Sequence, residues 1–159
     1  MNIVIVHANI LFSGILNINS RIGNLLLTSR RFFRFYATDF FRQEIERHHP
    51  KLVEVSGFTA DEVNLLLAKF FQRLHFVPES SIPFEFWQKS AALVRDVDPD
   101  DVAYVALNEF MDGRLWTGDV KLRKGLTAQG YSKCISTKEL IEWRTRLWKE
   151  RIEQDSDPE

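Results

Sequence analysis

The chain has a single cysteine, Cys134, in 159 residues. That excludes an intramolecular disulfide and any zinc site built from several thiolates, and it fits a reducing compartment. Net charge is almost absent as well, formally −1. No global electrostatic pull toward nucleic acid or membrane exists, and any nucleic-acid contact must come from a local basic patch. No apolar run reaches the length of a membrane span. The first sixteen residues come nearest, but Asn2, His7 and Asn9 interrupt them and no basic segment precedes them as in a signal peptide. Repeats, low-complexity blocks and linkers are also missing. What remains is 45% apolar and 27% charged, the balance of a folded domain long enough to bury a real core. The expectation is one cytoplasmic domain over residues 1–152, followed by an acidic, disordered tail at 153–159.

Residues 2–6 (NIVIV) are a β-branched run that reads as a strand buried on both faces. No Gly-rich phosphate fingerprint follows it, which argues against a nucleotide cofactor. Ser20 is placed to cap a helix over 21–29, and 33–37 (FRFYA) is a second strand by aromatic content. Thr38 or Asp39 caps the helix FFRQEIERHHPKL, which Pro50 is expected to stop. Thr59 and Glu62 form a capping box ahead of a further helix. A third strand is expected at 82–86, on an edge because of Pro83, then a helix over 87–95. Residues 114–117 and 131–136 supply two more strands, with a short helix from Asp119 to about Gly125 between them. Thr137 caps a last amphipathic helix reaching about Ile152. Strands alternating with helices predict a parallel sheet of about five strands in a three-layer α/β/α sandwich, joined by right-handed crossovers.

The rest of the chain is organised around 98–119, DPDDVAYVALNEFMDGRLWTGD. Asp101 opens a helix and Asp119 follows a strand, so both fall at the carboxyl edge of the sheet, where open α/β folds collect functional groups. Two converging carboxylates point to a hard divalent cation such as Mg²⁺. His7 and Asn9 after the first strand, and Glu44 on the helix after the second, fall at the same edge. Such a cluster would hold one or two ions that position water for attack on a phosphodiester.

These segments resemble the PIN domain family. IVHANILFSGIL is similar to its opening strand, DFFRQEI to its second motif, DPDDVAYVAL to its third and LWTGDVKL to its fourth. The four lie in the family's order and spacing over nearly the whole chain. The resemblance implies a PIN-like fold and a metal-dependent endoribonuclease using Mg²⁺ or Mn²⁺. Asp101, Asp119 and Glu44 would be the metal ligands and Asp98 an accessory one, with Asn9 and Thr117 supporting the ligands or the attacking water. It also implies a VapC-like toxin paired with a cognate antitoxin protein, RNA as substrate, and a homodimer. The chain departs from the pattern at His7, where the family has its first aspartate. A neutral imidazole is a poor Mg²⁺ ligand and removes a negative charge. Two origins fit: an inactivating substitution introduced so that a toxic nuclease can be expressed, or a naturally degenerate member that binds RNA or a protein partner without cutting.

Each of these residues also has an ordinary role. Asp101 and Asp119 are helix caps by position, Glu44 a solvated helix residue, Thr117 a strand-end hydroxyl and Asn9 a turn residue. His48 and His49 read as a helix end rather than a metal pair, because neighbours in a helix face different ways. Arg21, Arg30, Arg31 and Arg34 read as a solvated basic face. The phenylalanines of 32–41 and the stripe from Trp143 to Trp148 read as core and inter-helix packing.

Overall fold

The computed structural model describes residues 1–17 and 19–156. Its elements run β1 (Asn2–Val6), α1 (Ala8–Leu16), α2 (Arg21–Thr28), β2 (Phe33–Thr38), α3 (Asp39–Ser56), α4 (Ala60–Phe71) and β3 (Leu74–Val77). They continue with α5 (Phe84–Val94), α6 (Val102–Met111), β4 (Arg114–Trp116), α7 (Val120–Ala128), β5 (Cys134–Ile135) and α8 (Thr137–Ser156). All the strands are parallel, in the order β3-β2-β1-β4-β5. Helices flank the sheet in the expected α/β/α sandwich.

The first strand is the middle one. Val4, Ile5 and Val6 are fully buried, as a strand covered on both faces requires. Its ladder with β4 pairs Val6 with Trp116 and continues one residue further, where His7 N donates to Trp116 O. The next residues on the two strands, His7 and Thr117, therefore leave the sheet side by side. Across this frame lies α6, which packs on β1, β2 and β4 and is buried from Ala103 through Glu109. The apolar run of the organising stretch is thus a central helix, and it brings Asp101, just before its first turn, to the same edge.

Several boundaries differ from the sequence reading. Pro50 does not stop α3, which runs six residues past it to Ser56. The proline forfeits one bond to the Glu46 carbonyl, but both residues lie on an exposed face, where the carbonyl is open to solvent. Beyond it Leu52 is buried and continues the apolar stripe of Phe41 and Ile45. The stop comes at Gly57, whose φ of 75° is the left-handed conformation glycine accepts. His48 and His49 consequently lie within the helix: His48 meets the Phe12 ring edge-on and His49 bonds Asn64.

Residues 82–86 are not a strand. Pro83 sits at the N-cap of α5, an opening for which its fixed φ is suited. The third strand is 74–77 instead, paired with β2 from Phe35↔Leu74 to Thr38↔Val77. The capping box is present: Thr59 Oγ1 accepts from Glu62 N and Glu62 Oε2 from Thr59 N. At α8 the cap is one residue early, since Ser136 Oγ accepts from Glu139 N. Thr137 instead accepts the buried Trp116 indole N–H. The helix itself continues to Ser156, into the segment expected to be disordered, and residues 157–159 lie outside the described residues. Among the described residues no single helix is long and apolar enough to cross a membrane.

Candidate functional site

At the carboxyl edge of β1 and β4, His7 makes a hydrogen bond from each ring nitrogen. Nε2 lies 2.9 Å from Asp101 Oδ1 and Nδ1 2.9 Å from Thr117 Oγ1. All three residues are buried, with 6% of His7, 5% of Asp101 and none of Thr117 exposed. The carboxylate can only accept, so Nε2 carries the proton shared with Asp101. Thr117 Oγ1 already accepts from Asp119 N at 3.0 Å, which leaves its hydroxyl proton to donate to Nδ1 of the neutral ring. When the ring takes a second proton, the roles at Nδ1 and Oγ1 reverse.

Burial opposes a charge on His7. The hydrogen bond and negative charge of Asp101 outweigh it, with help from the charge of Glu44 and the side chain of Asn9, and the imidazole pKa is raised above its ordinary 6.5. Glu44 reaches this cluster through a residue absent from the sequence reading. Tyr104 OH donates to Glu44 Oε1 at 2.9 Å, and the same ring stands edge-on to His7 at 4.5 Å between centroids. Burial pushes the Glu44 carboxyl up, while the Tyr104 bond and His7 pull it down; the net is above the ordinary carboxylate value. Burial and the neighbouring Glu44 push the Tyr104 phenol far up, so it stays a donor at any physiological pH. A usable signal was present, since Tyr104 lies three residues after Asp101 and i, i+3 residues share a helix face.

The ordinary readings separate here. Asp101 is not a cap: its side chain makes no capping bond to α6 and is directed to His7 instead. Asp119 is a cap, for its Oδ1 accepts from Leu122 N at 3.0 Å and starts α7. Asp98 is exposed and caps the single turn Pro99–Asp101 through Asp100 N. Asn9 Oδ1 accepts from Gly118 N at 3.4 Å, tying the start of α1 to the turn after β4. The structure thus joins His7, Asp101, Thr117 and Asp119 in one hydrogen-bonded chain. Asn9 and Glu44 stand at its margins, and Asp98 lies outside it.

A divalent metal is the cofactor the motif pattern implies, and the donor set does not fit one as arranged. An octahedral Mg²⁺ needs several free oxygens converging on a point. One oxygen of each acid is engaged within the protein, Asp101 Oδ1 by His7, Glu44 Oε1 by Tyr104 and Asp119 Oδ1 by Leu122 N, which leaves each a single further oxygen to offer. Among the described residues, no three His, Cys, Asp or Glu side chains are grouped to hold an ion.

The family model described as "PIN domain" matches residues 5–153. One similar solved structure is the crystal structure of VapBC2 from Rickettsia felis bound to a DNA fragment from their promoter. The match has a TM-score of 0.63 at 14% identity and covers 84% of this chain and 96% of that one. At that identity the likeness is one of fold. No curated protein matches the sequence.

Proposed function

Because the chain belongs to the PIN domain family, we propose that it is the ribonuclease-type toxin of a toxin–antitoxin pair, a scaffold for RNA phosphodiester hydrolysis held weak or silent by His7. The observation that carries this reading is the convergence at one sheet edge of the segments bearing the four motifs. His7, Asp101, Thr117 and Asp119 meet there in a continuous hydrogen-bonded chain. In this reading Asp101, Asp119 and Glu44 are the residues whose counterparts hold Mg²⁺ or Mn²⁺ in active relatives, with Asp98 accessory. In this chain Thr117 fixes both the imidazole and the turn carrying Asp119. Asn9 braces that turn from the side of β1.

The test is cleavage of a labelled single-stranded RNA, with Mg²⁺ and with Mn²⁺, by this chain and by His7→Asp. Cutting by the aspartate form at a rate at least tenfold above the parent is the expected result. If the folded His7→Asp protein cuts no RNA, the nuclease reading is lost.

A second reading is favoured by the His7–Asp101 bond itself: a PIN-fold module that binds RNA or a protein partner without catalysis. RNA affinity that persists in the complete absence of cutting by either form would select it.

Two protein partners belong to the proposal. One is an antitoxin whose terminal segment lies along the carboxyl edge of the sheet with an arginine toward the carboxylates. The similar structure is a VapBC2 assembly bound to promoter DNA. The other is a second copy of the chain. Light scattering at high concentration is expected to give twice the 18.6 kDa chain mass, and a strictly monomeric species removes the dimer.

A further inference from the structure

We propose that the His7 imidazole takes the place of a cation at this centre: it satisfies Asp101 from within, so the folded chain keeps no resident divalent ion there, and a metal enters only by displacing the ring. The inference rests on the reading of this cluster as the family's catalytic centre.

A carboxylate as buried as Asp101 must be paired or bonded, since burying it bare is too costly. In a metal site the ion does that work. Here the N–H of His7 does it at 2.9 Å. The ring is held from three sides. Thr117 bonds its other nitrogen, Tyr104 stands edge-on at 4.5 Å, and the His7 main chain is locked to Trp116 of β4. Swinging the imidazole away would break two hydrogen bonds at once and give up its contact with the Tyr104 ring. That ring is itself fixed by Glu44 and fully buried.

The remaining acids do not offer an alternative cradle. Glu44 gives one oxygen to the Tyr104 hydroxyl, Asp119 gives one to the first turn of α7, and Asp98 lies exposed on its own turn; among the described residues these acids are not grouped to hold an ion. An entering ion would therefore have to recover the loss of a charge-assisted hydrogen bond. That lowers its apparent affinity by roughly 10- to 100-fold relative to a chain with the site open.

The experiment is a Mn²⁺ titration followed by electron paramagnetic resonance of the free ion, run beside thermal unfolding in Mn²⁺ and in EDTA. It uses the full chain, His7→Asp, His7→Ser and Asp101→Asn. The parent is expected to show no saturable Mn²⁺ uptake up to about 1 mM, with a melting temperature that EDTA and Mn²⁺ leave unchanged. His7→Asp is expected to bind Mn²⁺ at least tenfold more tightly and to melt higher in its presence, as linkage requires of a native-state ligand. His7→Ser vacates the same oxygen without adding charge. It is expected to acquire measurable uptake and keeps the test open if the aspartate form folds poorly. Saturable binding by the parent that Asp101→Asn abolishes would overturn the proposal, and so would variants that bind no better than the parent. Failure of the nuclease reading looks different: His7→Asp then binds Mn²⁺ and still leaves RNA intact.

Discussion

Tyr104 on α6 and Glu44 on α3 are joined by a 2.9 Å hydrogen bond, with the hydroxyl donating to the carboxylate. The same ring leans edge-on against His7. One buried aromatic thus ties the strand-end histidine to an acid that lies sixty residues from that aromatic in the sequence.

Tyr104→Phe keeps the ring against His7 and removes only the donor. The expected loss is about 1.5–3 kcal/mol in urea unfolding, the range for a hydrogen bond to a charged group. A double-mutant cycle with Glu44→Gln should show a coupling of at least about 0.5 kcal/mol. Strict additivity of the two variants would show that the bond contributes nothing.

Glu109 predicts an acid-sensitive arm of the stability curve. Burial works against its charge, but the hydrogen bonds and charges of Lys89 and Lys133 prevail and hold its pKa below the ordinary 4.5. A carboxyl depressed on folding adds stability that is complete above its unfolded pKa. That stability is lost as pH falls through the folded one. Melting temperatures measured from pH 7 to pH 3 should fall more steeply for the parent than for Glu109→Gln, and parallel curves would refute the assignment.

Gly125 lies inside α7 where a Cβ would meet the Val97 methyls at 2.5 and 2.6 Å. Gly125→Ala gains helix propensity yet is expected to lose about 1–3 kcal/mol through overpacking. Adding Val97→Ala should return most of that loss. Chemical denaturation of the single and double variants decides it.

Pro50→Ala restores an N–H facing the Glu46 carbonyl within α3. After allowance for the added freedom of the unfolded chain, a net gain of about 1–2 kcal/mol is expected. A variant no more stable than the parent would mean that water already satisfies that carbonyl fully.

The legible parts of the fold were those whose signal is local. β1 is a bare β-branched run, and the bond pair between Thr59 and Glu62 is written in their spacing. β3 was hidden because LHFV follows the apolar end of α4 after Gln72 and Arg73 alone, with no glycine or proline to separate strand from helix. Pro83 is ambiguous for the opposite reason. A proline beside Ile82 and Phe84 fits an edge strand as well as a helix start, and only the tertiary setting chooses between them. At the site, the spacing of motifs brought His7, Asp101, Thr117 and Asp119 to one edge. It did not show that the Asp101 side chain forgoes capping for His7 while that of Asp119 keeps it. Those choices depend on partners 94 and three residues away, respectively. Periodicity carries no information about the first.

The central place of β1 also has a consequence in time. Its neighbours in the sheet are β2 and β4, and His7 meets Asp101 and Thr117 only across 94 and 110 residues of intervening chain. During synthesis at roughly 5–20 residues per second, the amino-terminal strand waits about 5–20 s for its far partners to be made. A nascent chain therefore carries an unfinished centre while the residues between β1 and β4 are made, and the edge is assembled only once β4 has docked.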